Sequence, residues 1–185
     1  MNRKELAALL AEMAVMMELK GENAFKIRAY TNAGRIIESF EGNLEETVAK
    51  GELQKIKGIG KGLAAHIEEW AQTGSVQELE RLKESLPSQL PDLLNISGLG
   101  PKKVRRLYEE LGIQSLGELE YACKENRLME LKGFGKKSQE KILAGILHVR
   151  HYEGYFLVSE AVNYASGIFQ YLKSSAEGYV KTGIK

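Results

Sequence analysis

The sequence predicts an all-α fold of two small helical domains, on three observations. Apolar residues recur at helical spacing along most of the chain. No segment alternates cleanly enough for a convincing strand; only residues 179–185 have any strand character. A glycine turn set between helical segments recurs three times.

The helical stripes run in order. Leu6, Leu9, Leu10, Met13, Met16 and Met17 form the first. Phe25, Ala29, Ala33, Ile36 and Ile37 form the second, Leu79 and Leu82 the third, and Val104, Leu107 and Leu111 the fourth. Turns are expected at Glu41-Gly42-Asn43, Thr73-Gly74-Ser75 and Leu111-Gly112-Ile113, with Ser75 and Ser115 as helix N-caps. Two of the three prolines fall within residues 85–91 and mark the expected boundary. The first domain is then residues 1–86, the second 91–172, and residues 173–185 a tail.

The chain has 185 residues, 43% hydrophobic and 28% charged, a globular balance. Charges interrupt every apolar stretch too early for a membrane span or a secretory signal. The lone cysteine, Cys123, excludes an internal disulfide and a cysteine zinc cluster. A cytoplasmic setting is expected.

The repeat reads Leu53-x-x-Ile56-x-Gly58-Ile59-Gly60-Lys61, then Leu93-x-x-Ile96-x-Gly98-Leu99-Gly100-Pro101-Lys102-Lys103, then Leu128-x-x-Leu131-x-Gly133-Phe134-Gly135-Lys136-Lys137. Glycine accepts positive φ and lets another backbone come close. The apolar residue between the glycines anchors the turn inward. Free N–H groups at the start of the next helix, together with its dipole, then suit a phosphate. Pro101 stands in a first turn, where proline loses no hydrogen bond. This is the helix-hairpin-helix motif. Its contacts hold a nucleic-acid backbone without reading bases.

Net charge is only +1, yet the charges are segregated. Lys50, Lys55, Lys57 and Lys61 gather near the first turn, Lys102, Lys103, Arg105 and Arg106 near the second, and Lys132, Lys136, Lys137 and Lys141 near the third. Acids collect at residues 38–46 and 109–130. Three basic clusters at one place in three repeats predict a DNA-binding face formed by Gly58, Gly60, Lys61, Gly98, Gly100, Lys102, Lys103, Gly133, Gly135, Lys136 and Lys137.

The run from Met17 to Tyr30, followed by Lys57-Gly58-Ile59-Gly60-Lys61-Gly62 and the two later hairpins, resembles the N-terminal region of bacterial family X DNA polymerases, which are similar to DNA polymerase beta. The resemblance covers residues 1 to about 172. It implies a lyase-like domain binding the 5′-phosphate side of a gap, then a domain binding the primer duplex. The implied partner is gapped or nicked DNA with a 5′-phosphate, in base excision repair. Lys26, Tyr30 and His66 fall at positions lining the 5′-phosphate pocket. Na or K is implied on carbonyls of Gln54, Ile56 and Ile59, and again of Leu94, Ile96 and Leu99. Mg or Mn belongs to the family's palm. That palm needs converging carboxylates, and this chain has one aspartate, Asp92. An N-terminal fragment without polymerase activity is therefore expected.

His66 occupies the family's lyase-lysine position, and an imidazole does not form the protonated imine of an attacking amine. No catalytic residue is assigned and lyase activity is expected to be weak. An autonomous 5′-deoxyribose-phosphate lyase and a repair scaffold are the alternatives. His148 and His151 lack a third metal ligand in the sequence, and Trp70 and Cys123 are expected to pack.

Overall fold

A computed structural model of the chain describes residues 2–152. Residues 1–147 form one compact unit; of the second, residues 148–185, only the first few are described. The expected tail and the strand-like segment at 179–185 lie outside the described residues. All regular structure within them is helical. No helix there is long and apolar enough to cross a membrane.

Helix α1 (Arg3–Lys20) begins where the Asn2 side chain accepts from the Lys4 N–H and stops at Gly21, with φ of 81°. It packs along α2 (Ala24–Glu38). Their crossing is close: a Cβ on Gly34 would sit 3.2 Å from the Ala7 carbonyl oxygen. Leu6, Leu10, Met13, Met17 and Ile37 are fully buried there. Phe25 departs from the expected stripe and is 78% exposed. It falls on the far side of α2 from Ile27, Tyr30 and Gly34, so its ring meets the Arg28 guanidinium, 5.8 Å from the centroid, and not the core.

The short α3 (Leu44–Ala49), capped by Asn43, leads to α4 (Lys61–Thr73), which ends at Gly74 with φ of 75°. Ser75 is not the cap of α5 (Gln77–Glu84). Thr73 Oγ1 accepts from the Ser75 N–H and donates to the Ser75 carbonyl, while Val76 is fully buried in the capping position. The first N–H of α5, on Gln77, instead finds the Glu69 carboxylate of α4 at 2.8 Å.

Residues 85–91 lead into α6 (Pro101–Leu111), which ends at Gly112, and α7 (Leu116–Lys124), whose cap is Ser115 as expected. The last described helix is α8 (Lys136–Tyr152). Both α5 and α6 pack on α1, and Lys83 of α5 reaches Glu12 of α1 at 2.9 Å. At the α1–α6 contact, a Cβ on Gly21 would overlap the Arg105 guanidinium. Cys123 is buried, and burial, with Glu120 nearby, pushes its thiol up to about 11.

Candidate nucleic-acid interface

The three glycine turns share one backbone design. Each is entered from a 3-10 turn: Leu53–Lys55, Pro91–Asn95 and Arg127–Glu130. Ile59, Leu99 and Phe134 then donate their N–H groups to the carbonyls of Ile56, Ile96 and Leu131, each at 3.0 Å. The first glycines, Gly58, Gly98 and Gly133, have φ of 100°, 92° and 91°, where a side chain is strained. Ile59, Leu99 and Phe134 are buried as anchors.

The second glycines differ. Gly60 and Gly100 have φ of −83° and −99° with ψ near the extended limit, which any residue adopts. A Cβ built on Gly60, Gly100 or Gly135 meets nothing within 4 Å. Neither backbone strain nor internal packing requires glycine at these positions. What glycine leaves there is open space at the N-termini of α4, α6 and α8, although Pro101 has no N–H and the Lys103 and Ser138 N–H groups already donate to the Gly100 and Gly135 carbonyls. Neither Gly60 nor Gly100 offers a side chain to cap its helix, so the remaining donors face outward.

Lys61, Lys102, Lys136 and Lys137 stand exposed in the first helical turns. Lys103 is placed differently. Its ammonium donates to the Gly98 carbonyl at 3.0 Å and lies 5.6 Å from the centre of the Phe134 ring. It therefore ties the second turn to the third. Arg106 does the same, donating to the Lys132 carbonyl at 2.5 Å and to Glu110 at 2.6 Å beside the same ring. The Glu110 bond holds the Arg106 guanidinium's pKa above its usual value and the Glu110 carboxyl's below. In return α8 approaches the second turn, where a Cβ on Gly145 would come within 2.9 Å of Ile96.

The structure also brings Tyr30 of α2 against His66 of α4. Tyr30 Oη is 2.7 Å from His66 Nδ1. Tyr30 is buried, and burial first and Glu78 second push its phenol up to about 12, so it remains a neutral hydrogen-bonding group. Lys26 lies one turn before Tyr30. Sequence reasoning missed what faces it: Glu78 of α5 at 3.6 Å and Glu22 at 3.7 Å. Only the Glu22 spacing, four residues along, was a visible signal.

The cation carbonyls implied by resemblance lie in the first two turns. The Ile56 and Ile96 oxygens each accept one N–H there, leaving a lone pair. Among the described residues no three His, Cys, Asp or Glu side chains gather as a metal site. His148 is described, while the His151 side chain is not.

Comparison with known proteins matches these turns. Residues 1–76 match the helix-hairpin-helix domain family, and residues 90–146 match the SAM-like helix-hairpin-helix tandem. The chain is 37% identical over 172 residues, 93% of its length, to the DNA polymerase/3'-5' exonuclease PolX of Bacillus subtilis (strain 168). The chain carries helix-hairpin-helix domains over those residues and is similar to the N-terminal part of a family X DNA polymerase. It spans 30% of that relative's length. The tandem match takes in both turns that Lys103 and Arg106 join, so the second and third helix-hairpin-helix turns form one structural pair.

Proposed function

We propose that this chain binds DNA without sequence preference through the phosphate backbone, at gaps or nicks, as the DNA-holding part of a family X repair polymerase. The observation carrying this reading is the open second glycine of each turn. Gly60, Gly100 and Gly135 leave helix N-termini uncovered, and lysines follow within two residues. Such a surface fits the anionic backbone and touches no base edge.

The duplex lies on the paired second and third turns, and the far side of the gap on the first. There Lys26, with Tyr30 and His66 beside it, meets a 5′-phosphate after release from Glu22 and Glu78. The lyase alternative draws less support. The Lys26 ammonium is ion-paired with two carboxylates, unlike the desolvated neutral amine that attacks an aldehyde. A Na or K ion suits the carbonyls of Gln54, Ile56 and Ile59, and of Leu94, Ile96 and Leu99, since backbone carbonyl oxygens replace an alkali ion's hydration shell. A DNA partner, with a bacterial relative, fits a cytoplasmic, nucleoid-associated setting.

Titration of gapped, nicked and blunt duplexes at several salt concentrations tests this reading. Affinity is expected to fall linearly on a log–log plot with salt, alike for unrelated sequences, and to be highest for the gap. Equal, salt-insensitive binding to all three contradicts it.

A further inference from the structure

The second hairpin gathers more positive charge than its own segment supplies. Lys102 stands exposed in the first turn of α6, and the Lys103 ammonium is fixed on the Gly98 carbonyl. A third cation arrives from α8. The Lys141 stem crosses Gly98, its Cδ 3.6 Å and its ammonium 3.9 Å from where a Cβ on that glycine would stand. Among the described residues, no carboxylate forms an ion pair with Lys102, Lys103 or Lys141.

The third hairpin shows the reciprocal contact. Arg106 stands eight residues after Gly98, and Lys141 eight after Gly133. Each reaches the other hairpin's first glycine, with Arg106 Nη1 3.9 Å from a Cβ on Gly133. Their fates differ, because Arg106 is engaged by Glu110 and the Lys132 carbonyl. At the first hairpin the covering side chain is Ile36, whose Cδ1 would lie 2.5 Å from a Cβ on Gly58. Of the three first glycines, only Gly98 is covered by a cation that has no carboxylate partner among the described residues. Ammonium groups converging on one glycine repel each other, and an anion seated among them reverses the sign of that interaction.

We propose that Lys141 is a DNA-phosphate ligand of the second hairpin and not of its own, completing a three-cation site with Lys102 and Lys103 at Gly98–Gly100. This rests on the backbone-binding reading above. The second hairpin is then the principal electrostatic anchor of the tandem, and α8 supplies part of it from the neighbouring motif.

Double-mutant cycles on a gapped duplex test it. Lys141→Gln is expected to weaken binding about tenfold at low salt and to reduce the salt slope by about one, with the melting midpoint unchanged and Lys141→Arg restoring affinity. Its effect is expected to be non-additive with Lys102→Gln and additive with Lys136→Gln. Wild-type affinity and slope in Lys141→Gln, while Lys102→Gln still weakens binding, overturns the proposal and leaves the backbone reading intact. Coupling to Lys136 but not Lys102, or a loss of affinity that tracks a fall in the melting midpoint, also overturns it. Absence of binding by the wild-type chain removes the backbone reading itself.

Discussion

At the scale of single residues, the first hairpin's neighbourhood is a balance of charges. Lys26 is the cation that a terminal phosphate would seek, and Glu78 and Glu22 already hold it. The carboxylates are part-exposed, so water screens them and each pair is worth only a few tenths to about 1 kcal/mol. Glu78→Gln is therefore expected to raise affinity for a gapped duplex bearing a 5′-phosphate by about two- to fivefold. A duplex ending in a 5′-hydroxyl is expected to gain much less. Anisotropy titrations with the two ends compare them directly, and equal gains for both ends contradict a phosphate at Lys26. Lys26, Tyr30 and His66 were legible only through resemblance to a family. Glu78 was not legible, because its proximity depends on how α5 packs across the start of α2.

At the scale of elements, local chemistry wrote most helix ends into the sequence. Gly74 and Gly112 end α4 and α6 in the left-handed region, Pro101 opens α6, and Ser115 caps α7. Ser75 failed as a cap because burial of Val76 sets where α5 starts, and tertiary packing outweighs a local preference worth about 1 kcal/mol. Phe25 failed as a core residue for a related reason. Four-residue spacing alone does not say which side of α2 meets α1. The cap that α5 uses comes from Glu69, eight residues away on the preceding helix. Glu69→Ala is expected to lower stability by about 1 kcal/mol, read as a fall in the thermal midpoint without change in helix content at low temperature. An unchanged midpoint contradicts the capping role.

At the scale of the whole molecule, one motif serves as both fold element and candidate site. The repeat was legible because the turn has strict local requirements: positive φ at the first glycine, a buried anchor, and space at the second glycine. Resemblance placed the second and third turns in one tandem domain, but the side-chain pairing between them was not legible. It rests on Lys103, Arg106 and Lys141 crossing between motifs, and nothing in their spacing shows which turn they reach. Two of those cations read as surface charge in the sequence, yet Lys103 and Arg106 also hold the pair together. In the proposed binding mode, the open N–H groups at the three helix starts receive the phosphates, with lysines strengthening the contact. Filling those openings without changing charge isolates it. In a chain carrying Gly60→Asn, Gly100→Asn and Gly135→Asn, each new side chain caps its own helix, occupying the donors that phosphate would take. The measurement is affinity for a gapped duplex beside the thermal midpoint of the same variant. An equal or higher midpoint is expected, with affinity reduced more than tenfold. Wild-type affinity with all three caps in place would contradict it.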